Sequence, residues 1–176
     1  MPRNALVTGP PRSGKTTALE RTITALRDDG DDVGGLVCPE LREDGERVGF
    51  EIVNLATGER DVMAHVDIDG PAVGRYGVDV ATVDRLSRAA LSTTVDDRDC
   101  VVIDEIAPMQ LESDRFVAAT RRALDSGTPV LAAIAASGSD PFLERVRSRA
   151  DIVLFEVAPE TRDALPWALL EWIRPN

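Results

Sequence analysis

The stretch Leu6-Val7-Thr8-Gly9-Pro10-Pro11-Arg12-Ser13-Gly14-Lys15-Thr16-Thr17 organises the whole chain. Its first residues are apolar and end at a Gly-Pro-Pro break, which predicts a buried first strand. Beyond the break, Leu19, Ile23 and Leu26 recur at helical spacing, so a helix over Thr16–Arg27 buries one face. Between strand and helix, Gly9 to Thr16 satisfies G-x-x-x-x-G-K-[ST], the phosphate-binding loop. Glycines let successive backbone N–H groups turn inward on an anion, and the helix start adds its positive dipole end. Lys15 is placed to reach the β- and γ-phosphates, and the Thr16 hydroxyl to take a Mg²⁺ position. Composition alone would produce such a match with an expectation of roughly 6 × 10⁻⁴, so chance is set aside.

Working outward, strands and helices alternate. Strands are expected at Val33–Cys38, Cys100–Ile103, Val130–Ala135 and Ile152–Phe155. Helices are expected at about 80–93, from an N-cap at Ser113 to Ser126, at Pro141–Arg149 and at Pro166–Ile173. Gly30 is a left-handed cap for the first helix. Glu43-Asp44-Gly45-Glu46 is a turn, and the alternation over Arg47–Leu55 makes a hairpin with the stretch before it, an insertion over about 38–55. Residues 56–79, with Gly58, Gly70, Pro71, Gly74 and Gly77, read as an irregular connection. The pattern is α/β: a mainly parallel sheet flanked by helices, with an added hairpin, in one domain over 1–176.

The second chemical feature is Cys100-Val101-Val102-Ile103-Asp104-Glu105. Four apolar residues carry two carboxylates to the carboxyl end of a buried strand, where open α/β sheets bind ligands. Asp104 is expected to hold Mg²⁺ through water, and Glu105 to orient or deprotonate the attacking water. The expected nucleotide contacts are thus Gly9, Pro10, Pro11, Arg12, Ser13, Gly14, Lys15, Thr16, Thr17, Asp104 and Glu105. Of these, Lys15 and Glu105 are catalytic, and Thr16 and Asp104 hold the metal.

Composition removes several other chemistries. With 43% hydrophobic and 29% charged residues the chain is globular in type. No apolar run reaches the roughly 20 residues of a membrane helix, and Met1-Pro2-Arg3-Asn4 opens no signal peptide. His65 is the one histidine, which excludes multi-histidine metal sites and leaves it a surface role. Cys38 and Cys100 are too few for a disulfide framework; both read as packing residues in a reducing cytoplasm.

The net charge is −11, and Lys15 is the only lysine among 20 basic residues. An aspartate-rich surface without lysine suits molar salt, where the Debye length is about 3 Å and self-repulsion is screened. A halophilic setting is expected, and a nucleic-acid partner is not. Asp28-Asp29-Gly30-Asp31-Asp32 lacks the calcium-loop pattern and reads as a solvated helix end. Arg145, Arg147 and Arg149 read as a solvated helix face.

The chain resembles the small P-loop nucleoside-triphosphatases, sometimes called cancer-related nucleoside-triphosphatases. The resemblance runs from Asn4 to about Asp163. It rests on the phosphate loop, on Gly35 through Glu40-Leu41-Arg42-Glu43 with Arg47-Val48-Gly49-Phe50, and on Val73-Gly74-Arg75-Tyr76-Gly77-Val78. Asp104-Glu105-Ile106 with Met109, Leu111, Ser113 and Phe116 completes it. The resemblance implies a RecA- or kinase-like sheet and slow, Mg²⁺-dependent hydrolysis of ATP, GTP, CTP and UTP alike. Arg12 departs from the family pattern, where glycine is usual. So do Ala107-Pro108, Gln110, Ala133 and Thr161, which replace a Gly-led pair, a glutamate, a threonine and an asparagine.

Two other readings share the same loop. A nucleotide or nucleoside kinase would need an acceptor pocket and closing arginines, for which Arg42, Arg75, Arg121, Arg122 and Arg162 are available. A guanine switch of the N-K-x-D type is excluded, because Lys15 is the sole lysine. Among the arginines, Arg42 in the hairpin is the expected finger.

Overall fold

In the computed structural model, which describes residues 4–91, 95–136 and 138–174, one 10-stranded sheet runs through the molecule. Strands β1 (Asn4–Thr8), β2 (Val33–Val37), β8 (Cys100–Ile106), β9 (Val130–Ile134) and β10 (Ile152–Glu156) form its parallel half. The antiparallel half comprises β3 (Glu40–Glu43), β4 (Glu46–Asn54), β5 (Arg60–His65), β6 (Ala72–Val73) and β7 (Tyr76–Val78). The spatial order is β10-β1-β9-β8-β2-β4-β5-β7-β6, with β3 pairing β4 beside this path.

Six helices accompany the described strands: α1 (Lys15–Asp28), α2 (Val80–Leu91), α3 (Pro108–Leu111), α4 (Asp114–Asp125), α5 (Pro141–Arg147) and α6 (Leu165–Ile173). The expected helix over 80–93 is α2; positions 92 and 93 lie outside the described residues, as do Met1, Pro2 and Arg3.

The central strands are built on apolar runs because both sheet faces are covered, and period-2 alternation sorts those side chains into two layers. Leu6, Val101, Ile103, Val130, Ala132 and Ile134 pack on one face with Leu86 of α2, Phe116 and Leu124 of α4 and Leu143 of α5. Ala5, Val7, Cys100, Val102, Leu131 and Ala133 pack on the other with Leu19, Ile23 and Leu26 of α1 and Leu169 of α6. Ser113 caps α4 as its sequence position predicts, its hydroxyl accepting from the Phe116 N–H at 3.0 Å. Gly30 follows the end of α1 with φ of 89°.

The stretch 56–79 departs from expectation. It is not irregular: it supplies β5, β6 and β7 and widens the sheet beyond β4. Two of these strands are only 2 and 3 residues long, too short to show a period. Gly77, which looks like a loop residue, sits in β7 because Ile68 passes over it; a Cβ there would lie 1.8 Å from the Ile68 carbonyl oxygen.

Several charged features resolve into ion pairs. Asp29 and Asp31 bind Arg174, and Asp32 binds Arg98 at 2.8 Å, so the acidic helix end is arginine-paired. Arg149 bridges Asp125 and Asp151, and Arg147 faces Glu144 at 3.6 Å. His65 ends β5, its Nδ1 accepting the Asp67 N–H at 3.1 Å. Cys100 is fully buried.

Candidate nucleotide-binding site

The loop between β1 and α1 folds back on itself at the carboxyl edge of the parallel strands. The Ser13 N–H donates to the Pro10 carbonyl at 3.2 Å, closing the turn, and the Ala18 N–H donates to Gly14 at 3.0 Å, starting α1. Gly14 stands at the N-cap with φ of 104°, a left-handed conformation that turns the chain into the helix and leaves the first N–H groups facing outward. Arg12, two residues earlier, is also left-handed, with φ of 62°.

Strand β9 lies between β1 and β8, so Asp104 and Glu105 reach the loop from one strand away. The β8–β9 register shifts between Ile103 and Ile106, at the two acidic residues, and the Asp104–Glu105 peptide bond is cis. Asp104 is 4% exposed and accepts a hydrogen bond from the Thr16 side chain. Burial first, then the charges of Glu105 and Glu20, push its pKa up to about 7 against the opposing pull of Thr16 and Lys15. The Lys15 ammonium lies 2.9 Å from Glu105 Oε2.

These groups line one cleft of about 700 Å³. Of the sequence-predicted contacts, Gly9, Pro11, Arg12, Ser13, Gly14, Lys15, Thr16, Thr17, Asp104 and Glu105 all line it. Pro10 does not; it is exposed and contributes the carbonyl that closes the loop. A Cβ on Gly9 would lie 2.6 Å from Ser13 Oγ, so a side chain there would require the Ser13 hydroxyl to move aside.

The far wall comes from residues whose contribution sequence reasoning missed. Cys38, Glu40, Arg47, Phe50, Val73 and Met109 all face the cleft. They belong to the very segments that carried the family resemblance, so the signal was there without its geometric meaning. Arg47 donates to the Tyr76 hydroxyl at 3.0 Å and to Glu40 at 3.2 Å, and its guanidinium stacks on Phe50. Gln110 is buried in the wall with its Oε1 unpartnered among the described residues. Burial first, then Asp104, push the Cys38 thiol up to about 12. Arg42 is outside the cleft, held at the hairpin turn by Glu40 at 2.9 Å and the Gly45 carbonyl at 3.0 Å. Arg75 and Arg121 lie over the rings of Tyr76 and Phe142.

A family model described as NTPase matches residues 4–170. The nucleoside-triphosphatase THEP1 of Methanopyrus kandleri is 43% identical over 176 residues, covering 98% of this chain and 96% of that one. The chain belongs to the THEP1 nucleoside-triphosphatase family. Another member, from Methanothermobacter thermautotrophicus, is 40% identical over 90% of this chain and 88% of its own. The THEP1 fold is also the one seen here: the crystal structure of THEP1 from Aquifex aeolicus superposes with a TM-score of 0.83 at 27% identity, covering 97% of this chain and 99% of that one. The solution structure of a human cancer-related nucleoside triphosphatase matches at 0.80 and 31% identity, over 98% and 97% of the two chains. The RecA-like α/β assignment therefore stands, with the sheet mixed rather than mainly parallel.

Proposed function

We propose that this protein is a Mg²⁺-dependent nucleoside triphosphatase that converts an NTP to NDP and phosphate with little selectivity among bases. The observation that carries the reading is convergence: Lys15, Thr16, Asp104 and Glu105, from two segments far apart in the chain, meet in one cleft with the loop N–H groups.

The residues present fit a magnesium ion. Asp104 and Thr16 offer hard oxygen donors, and a buried carboxylate whose pKa is driven upward is one that a divalent cation would relieve. Mg²⁺ is typically held by one or two carboxylates with phosphate and water completing its shell, a set to which Asp104 and the Thr16 hydroxyl would contribute. When bound, the ion would neutralise charge on the phosphate oxygens.

The chain's own groups do the rest. Loop N–H groups hold the polyphosphate, and Lys15 leaves Glu105 for the phosphate oxygens as the nucleotide enters. Glu105 is then free to accept a proton from water. The water oxygen bonds to the γ-phosphorus, and the bond from that phosphorus to the β–γ bridging oxygen breaks, its electron pair leaving with the NDP. Broad base tolerance is supported by the absence of any N-K-x-D motif.

A halophilic setting is supported by the net charge of −11 with Lys15 as the only lysine, and a reducing cytoplasm by the two free cysteines, Cys38 and Cys100. No helix among the described residues is long and apolar enough to cross a membrane. The continuous sheet supports treating residues 1–176 as one domain with a hairpin inserted at about 38–55.

The test is phosphate release from ATP, GTP, CTP and UTP with Mg²⁺ in molar KCl, beside Glu105→Gln. Release from all four, lost in the variant, supports the reading; no release despite tight binding overturns it. A phosphotransferase reading is favoured by one observation, the apolar wall of Phe50, Met63, Val73 and Met109 across the cleft. Transfer of label from ATP to an added nucleoside or nucleoside monophosphate would establish it.

A further inference from the structure

Among the described residues three cations line the cleft: Lys15, Arg47 and Arg12. Two are committed. Lys15 faces Glu105 at 2.9 Å, and Arg47 is tied to Glu40 and Tyr76 while stacking on Phe50. Arg12 is exposed, and its guanidinium has no hydrogen bond or ion pair among the described residues.

Its backbone is as informative as its side chain. At φ of 62° Arg12 occupies the left-handed region, where the Cβ of a non-glycine residue is crowded against its own backbone. Glycine would sit there without strain. The chain therefore keeps a long cation, at a backbone cost, within a loop whose N–H groups face polyphosphate. Strained non-glycine residues of this kind concentrate where a side chain is needed at a site.

We propose that Arg12 is the arginine finger of this enzyme, supplied in cis from within the phosphate loop. Its planar fork of donors contacts the γ-phosphoryl oxygens as negative charge spreads over them in the transition state. No bond to Arg12 forms or breaks; it neutralises charge while water adds to the γ-phosphorus and the NDP departs. Arg42, the finger expected from sequence, is displaced from this role by its anchorage outside the cleft. The assignment rests on the nucleoside-triphosphatase reading above.

The experiment compares Arg12→Gly and Arg12→Lys with the parent. Glycine relieves the left-handed strain, so the variant should fold at least as stably, read by its melting temperature. Three quantities are then measured: kcat, affinity for Mg·ADP, and affinity for Mg·ADP with aluminium fluoride, which mimics the transferring phosphoryl group.

For Arg12→Gly we expect kcat to fall by about 10²-fold or more, since a finger is worth about 10³–10⁵ when fully engaged. Binding of ADP alone should stay near the parent's, and tight binding of the fluoride complex should be lost. Lysine, a point charge without the fork, should restore part of both. Unchanged kcat with unchanged fluoride-complex affinity overturns the proposal, and so does an equal loss of ADP binding, which would make Arg12 a ground-state anchor. The fluoride arm is a binding measurement. It reports on Arg12 even in a protein that releases no phosphate, in which case the hydrolase reading alone fails.

Discussion

Lys15 and Glu105 are each other's partner: the ammonium and the carboxylate lie 2.9 Å apart, the lysine buried and the glutamate side chain 30% exposed. In the proposed mechanism these are the residue that binds phosphate and the residue that handles water, and in this structure they neutralise one another. The nearly buried cation of the loop therefore has a compensating charge beside it.

Replacing Glu105 by Gln removes that competing charge. Nucleotide affinity should hold or rise, while turnover should fall by about 10²–10⁴-fold, the usual worth of a general base. Calorimetric binding beside steady-state phosphate release reads both. Turnover at the parent's rate would remove Glu105 as the base.

Lys15→Ala acts in the opposite direction. It takes away the charge-assisted bonds to phosphate, so ATP affinity should fall by about 1.5–3 kcal/mol, or roughly 10–150-fold. Fluorescent-nucleotide titration measures this, and undiminished affinity would sink the phosphate-loop assignment.

Asp104 gives a pH dependence with a definite sign. Its pKa goes from 3.8 in the open chain to about 7 in the fold, so the native state holds the proton more tightly. Stability from this group is full below about pH 4 and declines as pH rises through 7, by up to about 4 kcal/mol. In EDTA, melting should therefore be less pH-sensitive between pH 5 and 8 in Asp104→Asn than in the parent, and the variant should be the more stable of the two at pH 8. Equal slopes in the two proteins would contradict this.

Ser113→Ala tests the wall behind the site. The hydroxyl caps α4 through Phe116 and also bonds Asp84 on α2. Its loss should cost about 1–2 kcal/mol, a melting decrease of about 2–8 °C, with nucleotide affinity unchanged.

The strand, loop and helix from Leu6 to Arg27 and the strand ending at Asp104 were legible because local pattern and motif agree there. Both faces of those strands are buried, so their apolar runs are unbroken. In the antiparallel half the β3–β4 hairpin was legible from its Asp-Gly turn and the alternation after it, but β5, β6 and β7 were not. In β6 and β7 the pairing is set by partners on neighbouring strands and by the close crossing at Gly77, neither of which leaves a periodic trace. The arginines were the hardest. Arg42 and Arg47 lie five positions apart in one hairpin, and only tertiary partners decide that one faces the cleft while the other anchors a turn.

One feature of the cleft makes the protein self-reporting. Lys15 carries the only side-chain amine in the molecule, and it is nearly buried at the bottom of the phosphate loop. Apart from the chain's own amino terminus, an amine-directed reagent has one address. Its yield with and without nucleotide therefore counts occupied sites molecule by molecule. The rest of the surface offers nothing to acylation, methylation or conjugation at lysine, so any such modification found on this protein would fall in the G-x-x-x-x-G-K-T loop.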